Sequence, residues 1–350
     1  MKNKKQEVFR WGLLLCSLAY IIACRYHSGL AEDYARNIYP YLSAALSTIS
    51  SLFPFPLEEP LVIAIILWAI FYLIREKKKG TRWYMILLRE TEAFVCIYVW
   101  FYLGWGLNYF RQDIYTRLHV SHAVYEEQAF EQFLNDYTGR LNASYRPQTE
   151  VPPHKMKEHV HAFYSQLSPA FGLATPHPWQ QPKEFIFTSL YSKVGVLGSM
   201  GPFLAEAQLN ADLLEVQYPF TYAHEFAHLL GVSNEAEANY WAYLACTESG
   251  EPALQYCGYF GLFPHVLSNA SHLLSEERFT EWIRSIRPEI KEQYNQKNAY
   301  WKEHYSPVIG EVQSFVYDLF LKGNKISSGK KNYAEVIGML LALKDYSPHP

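Results

Sequence analysis

His224 and His228 lie four residues apart, with Glu225 directly after the first, in the stretch PFTYAHEFAHLLGVSNEAEANYWAYLAC (219–246). On a helix this spacing stacks the two imidazoles on one face, one turn apart, so that both reach a single metal ion. Glu225 then stands beside the metal, placed to take a proton from a zinc-activated water. Two neutral imidazoles and a carboxylate suit Zn2+, which keeps an open position for water and lowers the pKa of that water to about 7. Such a site attacks amides: the metal polarises the carbonyl while the glutamate moves a proton from the water to the leaving amine.

HExxH is short enough to arise by chance, so its context matters. Pro219 and Thr221 are suited to a helix start and Gly231 to a helix stop. The chain then reverses and begins a second helix near Asn234 that carries Glu235 and Glu237. These are two apart, so one helix cannot aim both at the same ion. Glu235 shares its face with Asn239, which pairs a ligand with a side chain able to hold a histidine N–H; this favours Glu235 and leaves Glu237 as the alternative. Asn234 stands where an HExxHxxGxxH pattern places a third histidine, but asparagine is a poor zinc ligand.

The elements around this motif divide the chain. With 350 residues and a net charge of −3, nothing suggests a nucleic-acid partner. Three apolar stretches fall in the first 110 residues and predict transmembrane helices at about 8–25, 57–75 and 93–110. Lys2, Lys4, Lys5 and Arg10 precede the first; Arg75, Lys77, Lys78, Lys79, Arg82 and Arg89 separate the second from the third. The positive-inside rule puts both groups in the cytoplasm, so that residues 111–350 form an extracytoplasmic domain on a bacterial cytoplasmic membrane. Ile21-Ile22-Ala23-Cys24 also resembles a lipoprotein cleavage box, in which case Cys24 carries lipid.

Residues 111–350 are enough for one substantial core. Residues 183–189, KEFIFTS, alternate as a short strand, and the glycine-punctuated 194–210 reads as a bulged or edge strand pair. After Pro219 the pattern is helical. The fold class expected is α-rich α+β. None of the five cysteines forms a CxxC pair, which argues against a thiolate metal site, and Cys246 and Cys257 are a candidate disulfide. His154, His159 and His161 cluster without a shared face or a carboxylate pattern. Glu206 is expected to be a surface carboxylate. Tyr256 and Tyr259 are candidates, among many tyrosines, for the donor that stabilises a transition-state oxyanion.

Three segments together make the chain familiar: Trp105-Gly106-Leu107-Asn108-Tyr109, the PFLAEAQLN stretch with Glu206 and Asn210, and HEFAH followed by EAEANYWAYLAC. With YDLFLKGNKISSGKKNYAEVIGMLLAL near the C-terminus, the chain resembles the bacterial family of three-span membrane proteins called domain of unknown function 3810. HExxH followed by ExEAN also looks like the ImmA/IrrE peptidases. The order of ligands is similar to the HtpX and CAAX-protease gluzincins, in which a glutamate is the third ligand and an aspartate four residues on supports a histidine. The resemblance implies a zincin-like domain, Glu235 as that ligand, and Asn239 where the aspartate would stand. It also implies that an edge strand before the active helix, here within 198–209, binds extended substrate, an idea that Leu204→Pro would test.

The function expected is zinc-dependent hydrolysis of peptide or protein substrates by a membrane-anchored enzyme. His224, His228 and Glu235 would hold Zn2+, with Glu225 as general base. The alternative is a non-catalytic zinc-binding scaffold or signalling module, against which the intact Glu225 argues.

Overall fold

The computed structural model describes residues 2–123, 125–167, 169–324 and 335–346, and it is mostly helical with one small sheet. In the N-terminal part, α1 (Lys2–Tyr26), α2 (Ser28–Asn37) and α3 (Tyr39–Ser50) lead to α4 (Glu58–Lys78) and α5 (Trp83–Gly104), which runs into a 3-10 turn, Gly106–Phe110. The next group is α6 (Ile114–Leu118), α7 (Glu127–Ser144), α8 (Pro153–Ser165) and α9 (Thr188–Lys193). The pair that carries the motif is α10 (Tyr218–Leu229) and α11 (Glu235–Thr247). The chain closes with α12 (Pro252–Leu273), α13 (Glu276–Ser285), α14 (Pro288–His304), α15 (Pro307–Gly323) and α16 (Val336–Ala342).

The sheet has the order β1-β3-β2. Here β1 is Lys183–Glu184, β2 is Gly198–Gly201 and β3 is Glu206–Leu209. β3 is central, parallel to β1 and antiparallel to β2, with Gly198 opposite Leu209 and Gly201 opposite Glu206. The strand expected over 183–189 is therefore only its first two residues, because Glu59 draws the chain out of the sheet. Its Oε2 accepts from the backbone N–H of Ile186 and Phe187, and α9 follows. The strand pair expected in 194–210 is present, with β2 at the edge. Leu204 lies in the turn between β2 and β3, so a proline there would not probe the edge strand.

By length and composition, Lys5–Tyr26 is the one stretch among the described residues able to cross a membrane. Of the three helices expected to span, this is the one that meets both criteria, for a chemical reason. The 61–74 apolar run of α4 is shorter than a span and bounded by Glu58, Glu59 and Arg75; α5 carries Arg89, Glu90 and Glu92 in its first half. α5 also begins ten residues earlier than expected and ends before the 3-10 turn. Glu92 is not left alone, since it pairs with Arg10 of α1 at 2.7 Å. Even so, α4 and α5 leave large apolar side chains uncovered, among them Ile66, Leu67, Phe71, Leu87, Leu88 and Phe94.

Glu206 is not at the surface: its carboxylate is buried at the N-terminus of α4. It accepts from the N–H of Leu57 and Glu58 at 3.0 and 2.8 Å and pairs with Lys183 at 2.8 Å. A carboxylate on the unpaired N–H groups of a helix start compensates both them and the helix dipole. The sheet is thereby tied to the N-terminal helices.

Candidate metal centre

α10 is buried from Pro219 to its end at Leu229. Pro219 sits in its first turn, where its missing N–H costs nothing, and Gly231, at φ 95°, turns the chain beyond its end. Asn234 begins the return: its side chain accepts from the Glu237 N–H at 2.8 Å and caps α11. Ala223 and Ala227 on α10, with Ala236, Ala238 and Ala242 on α11, are fully buried. Such small side chains let the two backbones approach, and Trp241 fills the adjoining core edge-on to Phe171.

This packing brings His224, His228 and Glu235 together. Nε2 of His224 lies 3.0 Å from Nε2 of His228, and the two are 3.2 and 3.5 Å from Oε2 of Glu235. A tetrahedral zinc with N and O ligands sets its donors about 3.3 Å apart, so the three atoms already fit around one ion. They are the one group of three or more metal-capable side chains among the described residues. The outer nitrogens are occupied: Nδ1 of His224 faces Asn239 Oδ1 at 2.8 Å, and Nδ1 of His228 faces the Val232 carbonyl at 2.6 Å. Hydrogen bonds at Nδ1 leave each Nε2 lone pair facing the point of convergence.

The electrostatics agree. Burial alone would lower the His228 pKa; the Glu235 and Glu225 charges and its hydrogen bonds outweigh burial and lift it to about 9. Burial would raise Glu235, but the two histidines outweigh it and hold the carboxylate well below its usual range. Glu225 is raised, because burial exceeds the pull of the histidines. The site thus favours positive charge where the three atoms meet. Glu225 Oε2 and Asn239 Nδ2 are buried with no hydrogen-bond partner.

Glu237 does not join the site. It is buried, paired with Arg117 and bonded by the Trp241 indole N–H at 3.2 Å. It is neither at the metal position nor on a solvated face. His159 and His161 face the carbonyls of Ala245 and Gln180 instead of an ion. Cys246 and Cys257 are both buried and unbonded, and Cys24 is buried within α1. Neither Tyr256 nor Tyr259 lines the site's cavity; the Tyr256 hydroxyl donates to Gln293.

The triad opens onto a cavity of about 820 Å³, walled by β2, α12 and α15 and lined also by Tyr109, His265 and Lys297. β2 contributes Gly198, Ser199 and Met200 to the wall. A Cβ on Gly198 would lie 2.5 Å from Glu225 Cγ, so this position has room only for glycine. Tyr317 of α15 donates to Glu235 Oε1 at 2.8 Å, securing the oxygen that faces away from the histidines. Gly198 was visible in the sequence only as strand punctuation, and Tyr317 only as the first residue of the YDLFLKG stretch, with no role attached to it.

The N-terminal part reaches into the same centre. The Trp105 indole N–H donates to the His228 carbonyl at 2.9 Å, the Tyr39 hydroxyl to the Leu229 carbonyl at 2.7 Å, and Ser233 Oγ to the Asn108 carbonyl at 2.7 Å. The first two bonds add donors at the last carbonyls of α10, where a helix runs short of its own, and the third holds the turn that follows.

A family model described as protein of unknown function (DUF3810) matches residues 34–341. No curated protein and no solved structure matches the chain. The match covers most of the sequence and includes both motif helices, and the chain belongs to the DUF3810 family.

Proposed function

We propose that this protein is a membrane-anchored zinc metallopeptidase. The observation that carries the reading is the convergence of His224 Nε2, His228 Nε2 and Glu235 Oε2 within 3.0–3.5 Å of one another, beside a buried Glu225 with an unpartnered oxygen. Zinc, when held there, supplies Lewis acidity toward a peptide carbonyl and toward water. Glu225 is the general base: it takes the proton of the attacking water and passes it to the amine nitrogen as the C–N bond breaks. Its raised pKa suits both roles. Asn239 and the Val232 carbonyl orient the histidines, and Tyr317 holds the free oxygen of Glu235. The outer edge of β2 offers backbone groups to an extended peptide beside Glu225.

The membrane reading places α1, α4 and α5 in a bacterial cytoplasmic membrane, with the metal centre on its extracytoplasmic side. Its support is the uncovered apolar surface of those helices and the agreement of charge with packing. The Lys77–Lys79 turn marks the inner side. The 28–50 segment, which the same rule puts outside, packs against the motif domain: Lys183 Nζ donates to the Ser50 carbonyl at 2.6 Å and Trp179 to Ser47 Oγ at 3.2 Å.

Hydrolysis of a quenched-fluorescent peptide library by the zinc-loaded full chain tests the activity. Cleavage that a chelator abolishes and zinc restores is the expected result; a zinc-loaded, folded chain inert across the library would favour the scaffold reading. Two variants probe the supports. Asn239→Ala should weaken zinc affinity by about 10–100-fold through the loss of one outer hydrogen bond to His224, measured by competition with a chelating dye. Gly198→Ala should keep zinc but lower kcat, because the new methyl group displaces Glu225 and not the ligands.

A further inference from the structure

α15 has three faces. Gln313, Ser314 and Tyr317 line the metal cavity, while Glu311, Asp318 and Lys322 form a polar flank on which Asp318 and Lys322 pair at 2.6 Å. The third face carries Val308, Val312, Phe315 and Leu319, at i, i+4, i+7 and i+11, which places them in one stripe. These four side chains are 78%, 64%, 65% and 54% exposed. So large an uncovered apolar stripe on a helix whose other side is committed calls for an apolar partner.

The attachment of the helix identifies that partner. At its C-terminal end the Gly323 carbonyl accepts from Arg25 at the end of α1 at 2.8 Å, and Asn324 Oδ1 accepts from Tyr102 of α5 at 2.8 Å. Phe320 packs edge-on to Phe101 and Tyr109, at 5.9 and 5.7 Å. The stripe is thus tethered at the outer ends of α1 and α5, where the uncovered faces of those helices terminate. At its N-terminal end the Ser306 N–H donates to the Lys193 carbonyl of α9 at 2.8 Å. Just before α9, Ile186 and Phe187 are exposed, as is Leu190 within it. With 17 residues and three charges α15 is no span, and one apolar and one charged face are the marks of a helix lying in the plane of the interface.

We infer that α15 lies on the outer leaflet of the bilayer, its Val308–Val312–Phe315–Leu319 stripe in lipid and its Tyr317 side roofing the metal cavity. The inference rests on the membrane reading of α1, α4 and α5 and is independent of the metal. The partner it assigns is a lipid surface, and it sets the mouth of the cavity at headgroup level.

The test uses the full chain in phosphatidylcholine nanodiscs, with Cys16 and Cys96 replaced by serine and single nitroxide labels at Phe315→Cys or Leu319→Cys. Ile66→Cys on α4 is the lipid reference and Gln296→Cys on α14 the aqueous one. Labels at 315 and 319 should collide with oxygen in preference to a water-soluble nickel chelate, as the label at 66 does and the label at 296 does not. Aqueous behaviour at both 315 and 319 beside lipid behaviour at 66 would overturn the inference and leave the membrane reading intact. Aqueous behaviour at 66 as well would remove both. Dipolar broadening between 315 labels of two chains would assign the stripe to a second copy and equally overturn it.

Discussion

Glu225→Gln should lower kcat for peptide hydrolysis by about 10²–10⁴-fold while leaving zinc content unchanged, since general base catalysis by a placed side chain supplies a factor of that order. The amide preserves the shape of the side chain against Gly198 and removes only its capacity to take a proton. The substitution touches no atom of the triad, because His224, His228 and Glu235 are held from their other sides by Asn239, the Val232 carbonyl and Tyr317. Burial of Glu225 adds a second effect. A charged group removed from the cavity wall should let the neutral variant bind peptide at least as well, so the loss should appear in kcat and not as a rise in KM. Equal activity in the variant would leave Glu225 without a role, whatever the metal does.

The second large effect lies away from the chemistry. Arg117 and Glu237 are 1% and 4% exposed at their side chains and pair through one Arg117 Nη2–Glu237 Oε1 contact at α11. Removing one partner leaves an uncompensated buried charge, so Glu237→Ala should cost about 3–5 kcal/mol of stability. For a chain of this size that is a fall in Tm of roughly 4–7 °C, read by a thermal melt in detergent. Replacing both, with Arg117→Met and Glu237→Leu together, should recover much of it, because a buried ion pair is often no better than well-packed apolar groups of similar volume. A double variant as unstable as the single one would show that the pair is needed for more than its own neutrality. Zinc should remain bound to both variants while they are folded, in contrast to any change at Glu235.

The motif was legible in the sequence because its chemistry is local. The i, i+4 histidines, the glycine turn at Gly231 and the cap at Asn234 are short-range features that fix α10, the reversal and the start of α11. Once those are fixed, the face argument favours Glu235 and leaves Glu237 as the alternative. What the sequence withheld were long-range contacts. Arg117 lies 120 residues from Glu237 and gave no reason to bury it. Glu206 was unreadable as a helix cap because its partners, Leu57 and Glu58, are about 150 residues away. The same holds for Tyr317 and for the bonds from Tyr39 and Trp105 to the end of α10. These last contacts also bear on how the protein is studied. A fragment beginning at residue 111 would strip the His228 and Leu229 carbonyls of their Trp105 and Tyr39 donors, so the full chain is the proper sample. In the N-terminal helices, apolar runs were legible as such, but charges such as Glu92 and the short core of α4 meant that only α1 met a span's composition.

The most direct test of the central claim is the zinc content of the purified, folded full chain beside Glu235→Gln and Glu237→Gln. About one zinc per chain in the parent, lost in Glu235→Gln and kept in folded Glu237→Gln, is the predicted result. A folded parent that takes up no zinc, or a Glu235→Gln variant that holds it as tightly as the parent, would contradict the account.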